Sequence, residues 1–307
     1  MQKTKISFKH RVEYGVLRTI QVCITLFPIS WVGTFLSGLL RFVFRCFWPL
    51  KKETVSRMRE VFGEDFPEWK CRQIARQSVW NLMMNFIELF HAKKMDEAYL
   101  QVHLKGIEEA RKKIGAIIDK HGGAVIALPH MGNWDLAGIA SSLIGYPLMA
   151  IARPQNNPLV ERWIVANRLS IITVDRRKPT SFVRIAHHLK GRGLFAILPD
   201  VRHNKPGVSV TVFGKPNVQL GKGVAKFARM SNVPIIPFMM ERLDASHHSL
   251  TLGDPIYPDI DADFDADAIR ITQALWDIFE ARIREKPEQW FWHNRRWILT
   301  PLYTKSR

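Results

Sequence analysis

Residues Ala124-Val-Ile-Ala-Leu-Pro-His130-Met-Gly-Asn-Trp-Asp135-Leu-Ala-Gly138 decide the fold. An apolar run rich in Val and Ile follows the turn signal Gly122-Gly123, which is the pattern of a buried strand. Pro129 ends the run, and His130 stands at the strand terminus. Asn133 is placed to cap the helix that the next apolar residues suggest. A strand-to-helix turn is where α/β folds gather their chemistry. Four residues separate His130 from Asp135, and a turn between them would bring the carboxylate back to the ring. An imidazole that takes a proton from a hydroxyl works best when a carboxylate holds its other nitrogen. His-x4-Asp also occurs by chance, and a histidine beside an apolar strand is often structural. The pair is therefore a candidate that the rest of the chain must support.

Working outward, strand and helix alternate from residue 102. Strands are expected at 102–104, 124–128, 148–152, 171–174, 194–198, 208–213 and 235–240. Helices are expected at 107–120, 134–144, near 157–169, near 180–190, near 222–231 and at about 265–285. This is an α/β pattern with a mixed, mostly parallel central sheet flanked by helices. Upstream, Val79, Leu82, Met83, Phe86, Ile87 and Phe90 recur at helical spacing, so 67–92 reads as an amphipathic helix. Such a stripe is plain core more often than the wall of a ligand pocket. Residues 51–65 read as a charged connector.

The N-terminus is basic through Lys3, Lys5, Lys9 and Arg11, and residues 20–40 then carry no formal charge. That length just spans a bilayer. Positive charge flanks both ends, Pro28 interrupts the run, and Arg41 and Arg45 share a helix face with nearby aromatics. A bent, membrane-embedded anchor over residues 1–50 is favoured over a span, with 51–307 as the α/β domain.

A formal charge of +17 calls for an anionic partner: nucleic acid, a membrane surface or a phosphorylated substrate. Three cysteines without CxxC spacing point to neither a disulfide framework nor a zinc site. Six aspartates between 254 and 267 resemble a calcium loop but lack the EF-hand Gly and closing Glu. A solvated acidic face leading into a helix is the better account. Arg153 follows strand 148–152 and Arg168 lies in the next helix. Both suit phosphate through bidentate hydrogen bonds, and both suit a surface ion pair. Asp200 ends strand 194–198, where it polarises His130 or holds substrate. Phe213-Gly-Lys-Pro216 and Gly221-Lys-Gly223 precede a helix and so offer an anion site, or a plain turn. Trp290, Trp292, Trp297, Arg295 and Arg296 interleave as in base-stacking or lipid-interface segments.

The block His130-Met-Gly-Asn-Trp-Asp135 resembles the His-x4-Asp/Glu motif of glycerolipid acyltransferases, nearest the lipid A late acyltransferases. Arg153-Pro-Gln-Asn-Asn-Pro158, Arg168, Leu198-Pro-Asp200, Val212-Phe-Gly-Lys-Pro216 and Gln289-Trp-Phe-Trp-His-Asn-Arg-Arg-Trp297 follow in the family's order. The resemblance implies an O-acyltransferase on the cytoplasmic face of the bacterial inner membrane. His130 would be the general base and Asp135 its orienting acid. Arg153, Arg168, Asp200, Asn133, Gly214 and Lys215 would contact substrate, with oxyanion support from amides near Gly132 and Asn133 or from Arg153. It implies acyl-acyl carrier protein or acyl-CoA as donor and an anionic lipid A precursor as acceptor, at a membrane surface. No metal, cofactor or nucleic acid is implied. Val201 stands where the family commonly has Gln or His, which leaves the role of Asp200 open. Acylation of a phosphatidylinositol mannoside or another glycolipid is the nearest alternative, and a basic nucleic-acid or membrane-surface binder is the non-enzymatic one.

Overall fold

The computed structural model describes residues 6–300 apart from 47, 48, 65, 153, 169, 170, 176, 177, 179 and 204. The helices are α1 (Phe8–Thr25), α2 (Ile29–Cys46), α3 (Pro49–Phe62), α4 (Glu68–His91), α5 (Glu97–His103), α6 (Ile107–His121), α7 (Trp134–Ile144), α8 (Pro158–Asn167), α9 (Thr180–Lys190), α10 (Gly223–Ser231) and α11 (Phe264–Glu285). The strands are β1 (Leu104–Lys105), β2 (Ala124–Ala127), β3 (Leu148–Ala152), β4 (Ile171–Asp175), β5 (Leu194–Ile197), β6 (Val208–Val212), β7 (Lys215–Leu220), β8 (Ile235–Arg242) and β9 (His248–Leu252). Seven strands form one sheet in the order β1-β9-β8-β2-β5-β3-β4. Only β8 and β9 pair antiparallel within it, and β6 and β7 make a separate hairpin. The expected α/β class with a mostly parallel sheet is what the chain adopts.

Period-two alternation sorts the sheet into two cores. Val125, Ala127, Phe195 and Ile235 join one apolar cluster, with α9, α10, α11 and the β6–β7 hairpin. Ala124, Ile126, Leu194 and Ile236 join the other, with α6, α7 and Trp163 of α8. Strand β2 is buried along its whole length, which is why it reads as an unbroken apolar run. Local chemistry sets the helix ends. Asp96, Asn157 and Asp263 accept hydrogen bonds from backbone N–H groups in the first turns of α5, α8 and α11. Gly122 closes α6 at φ +78°, a conformation that costs a glycine little.

Several expectations are corrected. Residues 51–65 are not a bare connector, because α3 buries Thr54, Met58 and Val61 at helical spacing. The strand expected at 102–104 is mostly helix: Asp96 caps α5, and only Leu104–Lys105 pairs with β9. Strands β7 and β9 were not expected. The stripe on α4 divides, with Ile87 and Phe90 in the core and Met83 and Phe86 exposed.

The tryptophan tail is also corrected. Trp290, Trp292 and Trp297 are buried and pack in tilted and edge-to-face pairs on one another, with Trp290 also against Phe213 and Trp276. None is free to lie on a base or a lipid.

The acidic stretch is organised by an arginine. Arg229 donates to the backbone oxygens of Asp259, Ile260 and Ala262 and pairs with Asp267. The guanidinium thus occupies the place a cation would take. Asp267 is buried there, while Asp263 caps α11.

Candidate active site

His130 leaves the C-terminal end of β2 through Pro129, as the sequence indicates. Its ring nitrogen Nδ1 lies 2.7 Å from Oδ1 of Asp200, and its backbone N–H donates to Oδ2 at 2.7 Å. A carboxylate only accepts, so Nδ1 carries the proton and Nε2 holds the free lone pair. Asp200 is buried, and its position follows from topology: β5 pairs in parallel with β2, so both strands end at the same edge. Burial alone would raise the Asp200 carboxyl. The His130 charge and the hydrogen bonds from His130 and Trp290 overcome this and hold it below the usual carboxylate range.

Asp135 does not serve His130 in the way the spacing suggests. It sits in the first turn of α7, and its Oδ1 faces Nε of Arg168 at 3.0 Å. The physical reason is helix geometry. Once Asn133 caps α7, accepting from the N–H groups of Asp135 and Leu136, the next side chains are fixed on the helix cylinder. The ring nitrogen that Asp135 was expected to hold is taken by Asp200. Asn133 is buried as the cap of α7 and does not line the cleft beside His130. Gly214 and Lys215 stand at the turn of the β6–β7 hairpin, next to Phe213, which packs on Trp276 of α11; neither lines the cleft beside His130. Arg153 lies outside the described residues.

Two supports hold the His130 turn from behind. The first is the C-terminal tail. Gln289 O accepts from Gly132 N at 3.0 Å, His130 O accepts from Phe291 N at 2.9 Å, and Met131 bridges to Trp290. The Trp290 indole N–H donates to Asp200 Oδ2 at 2.8 Å. The Gly132 amide is therefore engaged and unavailable to an oxyanion. Gly132 has φ +56°, and a Cβ there would stand 2.1 Å from Met240 O, so the turn requires glycine.

The second support is a buried charged network. Glu88 of α4 accepts from Arg242 at 2.5 and 2.7 Å, from His248 at 2.6 Å and from Asn133 Nδ2 at 2.5 Å. Asn85 donates to Gly132 O at 2.8 Å and accepts from Arg242 at 2.8 Å. Burial would raise the Glu88 carboxyl, but Arg242 and His248 hold it down at about 2.

Sequence reasoning does not reach these residues. The available signal for Glu88 is an acid inside the apolar run Phe86-Ile-Glu88-Leu-Phe90. Such an acid is buried only with partners.

In front of His130 opens a cleft along the sheet under α7. Trp134, Asp135 and Arg168 line it beside His130, with Leu128 and Leu198 near the strand ends and Ile114, Leu148 and Leu194 further in. Its lining is mainly apolar. From Leu198 to Leu194, four strand steps of about 3.3 Å give roughly 13 Å of depth. Among the described residues no group of three or more His, Cys, Asp or Glu side chains is arranged to hold a metal.

An imidazole held by a buried carboxylate at the mouth of a long apolar cleft fits a transferase that handles a hydrocarbon chain. The family model described as bacterial lipid A biosynthesis acyltransferase matches residues 1–298, and the chain belongs to that family. It is an O-acyltransferase. Among curated proteins it is similar to the phosphatidylinositol mannoside acyltransferase of Mycolicibacterium smegmatis, 28% identical over 235 residues, covering 73% of this chain and 72% of the relative. It is likewise similar to the protein of that name from Mycobacterium tuberculosis strain CDC 1551, 25% identical over 215 residues, covering 69% and 66%.

Proposed function

We propose that this enzyme transfers a fatty acyl group from a thioester donor, acyl-acyl carrier protein or acyl-CoA, to a hydroxyl of an anionic glycolipid. The observation that carries the reading is the His130–Asp200 pair at the mouth of the apolar cleft. His130 Nε2 takes the proton of the acceptor hydroxyl as its oxygen attacks the thioester carbonyl. Asp200 keeps Nδ1 protonated and stabilises the imidazolium. The tetrahedral intermediate expels the thiolate, which receives the proton from His130, and the ester remains. No covalent acyl-enzyme is needed. Arg168, held by Asp135 at the cleft mouth, is placed to meet negative charge on substrate. The acyl chain lies in the cleft.

Two glycolipids are candidates for the acceptor. The family description favours a lipid A precursor, and the names of the relatives favour a phosphatidylinositol mannoside. A charge of +17 suits either, and suits an acidic carrier protein.

The reading includes a membrane surface, on the cytoplasmic face of the inner membrane. Helix α1 exposes Phe8, Val12, Val16 and Ile20, and α2 exposes Trp31, Phe35, Leu39 and Phe42 at helical spacing. Among the described residues no single helix is long and apolar enough to cross a bilayer, and the chain bends by 114° between α1 and α2. Apolar faces on a bent pair support interfacial anchoring, with the inner side of α2 giving Leu36 and Leu40 to the core.

The test is purified full-length enzyme and His130→Ala with a panel of acyl thioesters and both acceptors, products read by mass spectrometry. Ester formation on a glycolipid by the native enzyme only is expected. Full activity of His130→Ala would overturn the assignment of the base.

A further inference from the structure

A second cavity lies between α1, α8 and the turn after α4. Arg18, Lys93 and Arg162 line it with Tyr14, Gln21 and Asn167, and no carboxylate does. The nearby acids are committed elsewhere. Glu13 takes Lys9 at 3.9 Å and Asn157 at 2.8 Å, and Glu161 accepts from the Gln155 N–H at 2.7 Å. Arg18 donates to the Tyr14 hydroxyl and Arg162 to Pro158 O. Among the described residues none of the three cations has an ion-pair partner. Three like charges around one cavity repel unless an anion joins them.

The frame is a packed one. The Trp163 indole donates to Gln21 Oε1 at 3.0 Å, Gln21 Nε2 donates to Phe90 O at 3.2 Å, and Asn157 fastens to His10 O at 2.9 Å. Trp163 and Asn157 are themselves buried.

Placement says what kind of anion fits. At 100° per residue, Tyr14, Arg18 and Gln21 share one side of α1, and the exposed Phe8, Val12, Val16 and Ile20 occupy the other. If that apolar side lies in the bilayer interface, the cavity sits at head-group level. It also borders the catalytic cleft in sequence and space. Asn167 lines this cavity, and the next residue, Arg168, lines the cleft of His130.

We propose that this cavity binds the phosphate of a lipid head group, with Arg18 and Arg162 as guanidinium partners and Lys93 as a point charge. The choice of a lipid over a soluble anion rests on the membrane reading above. The phosphate belongs to the glycolipid acceptor or to an anionic phospholipid of the bilayer.

The experiment compares full-length enzyme, the triple variant Arg18→Ala/Lys93→Ala/Arg162→Ala, and a charge-matched control, Lys120→Ala/Arg184→Ala/Lys190→Ala. Binding is measured to phosphatidylcholine vesicles with and without phosphatidylglycerol, and with inorganic phosphate as competitor. KM is measured for a phosphorylated glycolipid acceptor in neutral detergent micelles. A Lys or Arg near an anionic surface is worth roughly five-fold in affinity, so the triple variant should bind anionic vesicles roughly 100-fold more weakly. The control residues do not line this cavity, and that variant should stay within about three-fold of native. A KM raised ten-fold or so in micelles identifies the acceptor's own phosphate. An unchanged KM with lost vesicle binding identifies the bilayer lipid. Equal binding and equal KM in triple variant and control would overturn the proposal, as would displacement from vesicles by phosphate at concentrations that match its ionic strength effect only. A native enzyme that acylates no acceptor, yet shows the vesicle difference, would sink the acyl-transfer reading and leave this site standing.

Discussion

Replacing Asp200 by asparagine should silence the enzyme without unfolding it. Asp200 receives three N–H groups: the His130 backbone and the Trp290 indole at Oδ2, and His130 Nδ1 at Oδ1. An asparagine supplies one acceptor oxygen and one NH2. The two donors at the Oδ2 position hold the amide oxygen there, so the NH2 faces Nδ1. The ring then accepts at Nδ1 and carries its proton on Nε2. The nitrogen that receives the hydroxyl's proton in the proposed reaction is then already occupied. The same tautomer inversion in a serine protease triad lowers kcat about 10,000-fold, and a loss of about 1,000- to 10,000-fold is expected here. Each charge-assisted bond that becomes neutral gives up about 1 kcal/mol, so some 2–3 kcal/mol is at stake. Relief from burying a charge offsets part of that. The assay is single-turnover ester formation at saturating thioester, with thermal unfolding on the same samples. Asp135→Asn is the comparison. It only loosens the partly exposed pair with Arg168, and should act on KM with a loss under about ten-fold. An inactive Asp135→Asn beside an active Asp200→Asn would refute the assignment and restore the pairing expected from the His-x4-Asp spacing.

Trp290→Phe keeps the ring but removes the donor to Asp200, leaving a stronger acceptor for the imidazolium. The acid limb of kcat/KM should move to higher pH, and an unmoved limb in a folded variant would exclude the hydrogen bond. Glu88→Gln strips the charge that pairs Arg242 and His248, and should cost roughly 3–5 kcal/mol by denaturant unfolding. Because Glu88 is depressed to about 2, its contribution is whole above the unfolded carboxyl range near 4 and is lost as pH falls toward 2. The native protein should therefore lose stability across that window, and Glu88→Gln should lose less. Arg229→Met should loosen residues 259–263, seen as faster hydrogen exchange there, and added calcium should not restore them. At Gly138 a new Cβ would stand 2.0 Å from Ile171 Cδ1, and both residues line the cleft. Gly138→Ala should push Ile171 into the cleft and shift donor preference to shorter chains, read by competition between thioesters.

Much of the α/β layout is legible because periodicity is a local signal. Strand β2, the Asn133 cap and α7 follow from the adjacent side chains between Ala124 and Gly138, and the parallel part of the sheet follows from the alternation of strand and helix, whereas the antiparallel β9 gave no such signal. What fails is partner choice. Asp135 is near His130 along the chain, whereas Asp200 reaches it only through the parallel pairing of β2 with β5. Spacing cannot reveal that one carboxylate is carried off by a helix turn while the other arrives from a neighbouring strand. The tryptophan tail misleads for a related reason. Aromatic and basic residues in alternation look the same whether they face a lipid or one another, and only the fold buries Trp290, Trp292 and Trp297. The family resemblance points Gly214 and Lys215 at substrate, and glycine and lysine before a helix suit an anion site. Their hairpin instead packs on α11.

Threading the tail through the His130 turn has a consequence for how activity arises during synthesis. The imidazole, its carboxylate and the indole that fixes them are contributed at positions 130, 200 and 290. Contacts of such long separation close late. A nascent chain halted before Trp290 would own the cleft and a histidine, yet no settled carboxylate to hold its ring. The ordered His130–Asp200 pair therefore arrives only when the last aromatic segment seats.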